Sequence, residues 1–309
     1  MPDPLAAHGW QGSRSPDYVE VFAWRQRQLL RMKADPVLQA GALAYYADRP
    51  VEFIEHWLNT YDPRNAGTER PASMPFILFQ RQRDLIEFVQ ACLAGEEDGL
   101  IEKARDMGAT WVACAVSVWL WRFKPGLSIG WGSRKEQLVD RIGDPDSIFE
   151  KMRMIIAGMP AMFRPRGYDE RVHATHMRII NPENGATITG EAGDNIGRGG
   201  RKTLFWKDES AHYERPEKIE AALGDNTRVQ MDISSVNGPG NVFHRRREAG
   251  TVWTGGDAAK GTNVFVMDWS DHPEKDQAWF DARKAKAAAD GQVISAISIV
   301  RSVSQATAS

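Results

Sequence analysis

Apolar residues recur at three- and four-residue spacing from about residue 17 to 61: Val19, Phe22, Ala23 and the Leu29-Leu30 pair, then Phe53, Ile54, Trp57 and Leu58. That spacing predicts helices with one buried face. The run 62–67, Asp-Pro-Arg-Asn-Ala-Gly, breaks it with loop-forming residues. A different texture begins at Phe76. Residues 80–94 keep a helical period, 99–102 are a short buried strand, a glycine-containing turn follows, and an apolar helix starts at Thr110. Strands are expected at 127–132, 202–206, 228–233 and 264–269, and helices at 134–143, 147–158 and 274–286. Residues 177–181 and 186–190 read as two strands joined by Pro-Glu-Asn-Gly, a hairpin signal. Strands alternating with helices predict an α/β fold, a mainly parallel sheet flanked by helices, with a small helical section in front. The first sixteen residues, rich in Pro, Gly and Ser, are expected to fray.

Composition narrows the class without naming a function. The 309 residues are 42% hydrophobic and 26% charged, with 39 Lys+Arg against 41 Asp+Glu and a net charge of −2. That balance excludes disordered, collagen-like and disulfide-framework chains. Near-neutral charge does not advertise nucleic acid, although local patches escape such a sum. Cys92 and Cys114 sit in apolar helical patterns and read as reduced core residues. The longest apolar stretch, 111–121, stops at Arg122, short of the roughly 20 residues that span a bilayer, so no membrane partner is expected.

Candidate chemistry concentrates in three places. The turn Glu102-Lys103-Ala104-Arg105-Asp106-Met107-Gly108-Ala109-Thr110 lies between a short apolar strand and an apolar helix. There the first backbone N–H groups of the helix and its dipole favour an anion. Gly108 and Thr110 stand at the offsets a phosphate loop uses for its glycine and its Mg²⁺-holding hydroxyl. Ala109 occupies the usual lysine position, so the cation must come from Lys103 or Arg105. About a hundred residues on, the apolar strand 202–206 runs into Lys207, Asp208 and Glu209. Two carboxylates at a strand end suit a division of labour in which the first supports hydrated Mg²⁺ and the second activates water. A third strand runs into Ser234-Ser235-Val236-Asn237-Gly238, whose small polar side chains suit sensing of a phosphate. The loop 197–202, Gly-Arg-Gly-Gly-Arg-Lys, adds a flexible cationic segment.

With these elements in order, the chain resembles the large terminase subunit of tailed bacteriophages, the ATPase that packages viral DNA. The likeness runs from about Met74 to Trp279. It rests on PFILFQRQRDLIEFV, EKARDMGATW, SIGWGSRKEQLVDRIGDPDSIFEKMR, GEAGDNIGRGGRKTLFWKDESA and ISSVNGPGNVF. Large terminases carry deviant phosphate loops with the basic residue at the front, which accommodates Ala109. The resemblance implies a P-loop ATPase fold of the type with an extra strand between the two site strands. It implies that the turn 103–110 binds ATP, that Lys103 or Arg105 contacts phosphate, and that Thr110 and Asp208 hold Mg²⁺. It further implies Glu209 as catalytic base, Gln82 (ahead of Gln80) as the adenine reader, and Ser235 and Asn237 as coupling residues. Implied partners are double-stranded DNA, a small terminase subunit and the portal of a procapsid, with a homo-oligomeric ring in the host cytoplasm.

The domain expectation is a helical appendage or lid over 1–70, the ATPase over 71–270, and a helix and tail over 271–309. Family members usually continue into a nuclease domain. Asp268 is the one tempting first acid here, those after it are spaced as a loop and a solvated helix face, and the tail 295–309 has none. No nuclease activity is expected. His173 and His176 offer an H-x-x-H spacing without a third ligand, so a strand-edge role outweighs zinc. Two rival functions remain: a catalytically silent terminase assembly module, and a helicase-like DNA translocase.

Overall fold

A computed structural model describes residues 4–289. Three helices open the chain, α1 (Tyr18–Ala34), α2 (Pro36–Tyr46) and α3 (Pro50–Trp57). Asp17 and Asp35 cap the first two by accepting backbone N–H groups, and proline opens the second and third. A small antiparallel ribbon follows, β1 (Asn59–Tyr61) with β2 (Ser73–Pro75). Then come α4 (Gln80–Gly95), β3 (Gly99–Lys103), α5 (Ala109–Phe123), β4 (Ser128–Ser133), the single turn α6 (Glu136–Val139) and α7 (Ile148–Gly158). The short α8 (Glu170–His173), β5 (Ala174–Thr175), β6 (Arg178–Ile180) and β7 (Thr187–Ala192) precede β8 (Lys202–Asp208), α9 (Pro216–Gly224) and β9 (Thr227–Ser234). The last described elements are α10 (Val242–Ala249), β10 (Thr251–Val252), β11 (Asn263–Met267) and α11 (Gln277–Ala289).

Nine strands form one sheet in the order β10-β11-β3-β9-β8-β4-β7-β6-β5. Every pair from β10 to β7 is parallel, and only the β7-β6-β5 end is antiparallel. The protein is therefore α/β with a mainly parallel sheet, as the alternation of patterns predicts. Strand β9 lies between β3 and β8, so the turn-bearing strand and the Asp-Glu strand are second neighbours.

Successive strand residues point to opposite faces, and the core divides accordingly. Ile101, Leu204, Trp206 and Phe265 join the large core with α4, α5 and α7, while Leu100, Phe205 and Val264 face the α9 and α10 side. Helix α5 is buried around most of its circumference, twelve of its fifteen residues being inaccessible, which explains its apolar run. Gly130 on β4 is required by packing: a Cβ there would sit 2.2 Å from the Phe205 ring.

Two expectations change. The predicted helix over 134–143 shrinks to one turn. Asp140 leaves the helical path because its buried carboxylate pairs with Arg153 of α7 and accepts the Met177 amide at 2.5 Å. The N-terminal section reaches the main core through Tyr46, Phe53, Ile54, Trp57 and Leu58, with Trp119 Nε1 donating to Tyr46 O, while Val21 of α1 packs in a small separate cluster. The expected fraying does not describe residues 4–16. Leu5 packs with Val21 and Ile77, and Trp10 Nε1 donates to Ile77 O at 3.1 Å. Residues 1–3 and 290–309, the latter including the acid-free stretch 295–309, lie outside the described residues. Among those described, Cys92 and Cys114 are unpaired and buried, with thiol pKa values pushed up by burial, and no helix is long and apolar enough to cross a membrane.

Candidate functional site

The parallel register brings three strand ends to one edge of the sheet. Glu102 of β3 faces Ser234 of β9, and Asp208 of β8 faces Ile233 of the same strand. The turn after β3, the carboxylates after β8 and the polar segment after β9 thus meet at the carboxyl edge, where parallel sheets bind ligands.

The turn after β3 has a backbone form in which N–H groups can line a concavity. Asp106 (φ 58°) and Gly108 (φ 69°) are both left-handed and flank Met107. Such alternation turns successive N–H groups toward one concavity. Gly108 is needed twice over, for its φ and because a Cβ would meet Gln82 Nε2 at 2.7 Å. Ala104, Met107 and Ala109 are buried in the core, Lys103 is half-buried, and Arg105 is exposed. Ala109 itself is 1% exposed, so the side chain at the usual lysine position points into packed apolar residues.

Thr110 at the start of α5 donates from Oγ1 to Asp208 Oδ1 at 3.1 Å. Burial raises the Asp208 pKa to about 6, opposed by the ammonium of Lys103, raised further by Glu209, and lowered by the Thr110 bond and by Lys151. A hydroxyl and a carboxylate in contact, the latter short of solvation, are the hard oxygen donors that hydrated Mg²⁺ accepts. The residues fit that ion. Among the described residues no group of three or more His, Cys, Asp or Glu side chains converges on a metal position. Mg²⁺ needs fewer, because it keeps most of its waters.

The Asp208 environment carries a stability cost. A carboxyl whose folded pKa lies above its unfolded value weakens the fold above the folded pKa and leaves it unaffected below the unfolded one. In metal-free protein Asp208→Asn is therefore expected to raise stability by about 1–3 kcal/mol at pH 8, with the gain vanishing near pH 4. Denaturant melts at the two pH values measure this, and a variant less stable than wild type at pH 8 would contradict it.

Glu209 follows in the left-handed region (φ 52°), its side chain half-exposed and Oε2 3.8 Å from Arg134 Nε. Two bonds from the β9 tip fix the chain just beyond it. Ala211 N donates to Ser234 Oγ at 3.3 Å, and Asn237 Nδ2 donates to Ala211 O at 3.0 Å. Asn237 thus touches the segment after the carboxylates. Ser235 takes part through its carbonyl, which accepts from Ser234 Oγ. The hydroxyl that contacts the segment beyond Glu209 belongs to Ser234.

A cavity of about 480 Å³ opens beside the turn, lined among others by Gln82, Met107, Gly108, Trp111, Lys151 and His272. That volume suits a small organic ligand. Gln82 is buried, its Nε2 donating to Met107 O at 3.1 Å and its Oε1 accepting from Phe79 N at 3.4 Å. Gln80 is exposed and bonds Asp84 instead. His173 and His176 take separate partners, the Asp169 backbone for the first and Glu136 for the second.

Sequence reasoning missed two lysines. Lys151 on α7 lines the cavity and bears on Asp208, and Lys275 touches the turn itself. Lys151 lies in a quoted segment but carried no expectation, and both lysines reach the site through packing of distant segments.

Turn, hydroxyl, carboxylate pair and interposed strand thus lie together at the carboxyl edge of a mainly parallel α/β sheet. No model of a known protein family matches the chain, and no curated protein matches its sequence. Among solved structures it is similar to the large terminase ATPase domain of Thermus phage P74-26, at 17% identity and TM-score 0.45, over 61% of this chain and 82% of that one. It is also similar to the large terminase of a thermophilic bacteriophage in complex with ADP, at 13% identity and TM-score 0.46, over 67% of this chain. It spans 50% of that terminase's length.

Proposed function

We propose that this chain is the ATP-hydrolysing motor domain of a phage packaging terminase, driving double-stranded DNA into a procapsid. One observation carries the ATPase reading: the Thr110 hydroxyl and the Asp208 carboxylate meet at 3.1 Å, directly beside the left-handed turn and the half-exposed Glu209. The motor role rests on the ordered motifs that resemble terminases.

The division of roles follows from position. Backbone N–H groups of 105–110 surround the phosphates, with Lys103 or Arg105 supplying positive charge. Lys103 is favoured, because it is half-buried and its charge already bears on Asp208, whereas Arg105 is exposed. Thr110 and Asp208 hold Mg²⁺, which when bound offsets charge on the phosphate oxygens. Glu209 orients the attacking water and accepts its proton. Gln82 reads the base at the cavity wall, and Asn237, with Ser235 on the same tip, relays loss of phosphate to the sheet edge. Residues 1–70 act as a helical lid over the 71–270 unit. An arginine from a neighbouring copy in a ring, the small terminase subunit, the portal and a host-cytoplasmic setting complete the proposal.

The silent-module alternative draws on Ala109, since the turn lacks its usual lysine. Steady-state hydrolysis with MgATP separates the two. Turnover is expected in wild type, with Lys103→Ala lowering it about a hundredfold or more and Arg105→Ala less than about tenfold. Nucleotide binding without hydrolysis, even with DNA and the small subunit present, would establish the silent module. Wild-type rates in both variants would remove the phosphate assignment.

A further inference from the structure

The best-buried ammonium touching the turn comes from the far end of the described chain. Lys275, between the 3-10 turn Trp269–Asp271 and α11, is 9% exposed. Its Nζ donates to Arg105 O at 2.7 Å and to Asp106 O at 3.1 Å, and lies 3.7 Å from Met107 Sδ. The Trp279 ring closes over it at 4.9 Å. The neighbouring Glu274 accepts from Ser15 Oγ at 3.1 Å and pairs with Arg70. The two residues 274 and 275 are therefore pinned to the N-terminal segment on one side and to the turn on the other.

Peptide geometry gives these bonds a consequence. In a trans peptide the N–H points away from the C=O of the same unit. Turning the Arg105 and Asp106 carbonyls onto Lys275 aims the Asp106 and Met107 N–H groups to the opposite side of the turn. We propose that Lys275 is a positioning residue that holds the turn in its anion-binding form, so that nucleotide affinity depends on the 269–289 segment being docked on it. This rests on the reading of the turn as a nucleotide site. Burial lowers the Lys275 pKa to about 8, with Asp106 opposing, so the group is still mostly charged at neutral pH.

The test compares wild type, Lys275→Met and Lys275→Arg in the full chain, by MgATP titration, steady-state kinetics and amide hydrogen exchange of residues 104–110 without nucleotide. Lys275→Met is expected to raise Kd and KM for MgATP at least about tenfold, with kcat within about threefold. Exchange in the turn should quicken about tenfold while the middle of α5 stays protected. Lys275→Arg should recover most of both. Affinity within about twofold of wild type, or a loss in kcat at unchanged KM, overturns the proposal. Should Lys275→Met fail to fold, Glu274→Gln, which loosens the same segment from Arg70 and Ser15, decides by the same readouts. A wild type that binds no nucleotide removes the functional reading, and the exchange result alone then decides whether Lys275 organises the turn.

Discussion

Replacing Glu209 by Gln is expected to cut ATP hydrolysis by about 10²–10⁴-fold, the usual share of a positioned general base. MgATP affinity should stay within about threefold, under about 1 kcal/mol. The carboxylate is half-exposed and stands at a left-handed position, so it lies outside the core. The chain beyond it is held by Ser234 and Asn237 through Ala211, and none of those bonds uses the Glu209 side chain. The amide is isosteric and keeps a hydrogen-bonding oxygen, but it cannot take a proton from water. Loss of turnover with binding intact separates this role from the metal role proposed for Asp208. Rapid-quench measurement of a single turnover checks it, and a Gln variant within tenfold of wild type would remove Glu209 from the chemistry.

Asp232→Ala is expected to destabilise the fold by about 3–5 kcal/mol, the cost of leaving a buried charge without its partner. Asp232 is 2% exposed and Lys207 is fully buried beside it at 3.1 Å. Lys207 also pairs with Glu220 of α9, and Arg246 of α10 reaches Glu220, Asp98 at 3.0 Å and Asp232 at 3.5 Å. Burial alone would raise the Asp232 pKa, but Lys207 and Arg246 outweigh it and hold the carboxyl below its ordinary value. Adding Lys207→Met to the Asp232→Ala variant should recover part of the loss, because the orphaned ammonium goes too. Urea melts of the single and double variants measure this. A single variant within about 1 kcal/mol of wild type would show that the remaining acids suffice.

That network explains a residue that looked out of place in the sequence. Lys207 interrupts an apolar strand pattern directly before the acid pair. In the sheet it stands opposite Asp232, one strand over. The pairing sits immediately behind the two carboxylates and anchors β8 to β9 and to the helices on that face. Nothing local to either residue reveals the other, since 25 positions separate them and only strand register joins them.

Local pattern was enough for much else. The 3.6-residue period of α4, the apolar run of α5 and the Asn-Gly hairpin between β6 and β7 depend on side chains close in sequence, and all stand where expected. Pattern failed where a distant partner won. Asp140 ended α6 early because Arg153 and the Met177 amide claimed its carboxylate. Leu5 and Trp10 ordered a segment of turn-forming composition because Val21 and Ile77 covered them.

The sequence by itself determined the order of the elements and the chemistry at each strand end: a turn with Gly108 and Thr110, an Asp208-Glu209 pair, a polar tip after β9. Spacing and residue type are local quantities, and the chain carries them before it folds. Only the tertiary structure decided that these ends share one edge, that Thr110 touches Asp208, that the Ser234 hydroxyl holds the segment after the carboxylates, and that Lys275 braces the turn. Those facts depend on parallel register and on loop closures of 23, 98 and 170 residues. Contacts of that kind follow from how the whole apolar surface packs, which no short window of sequence encodes.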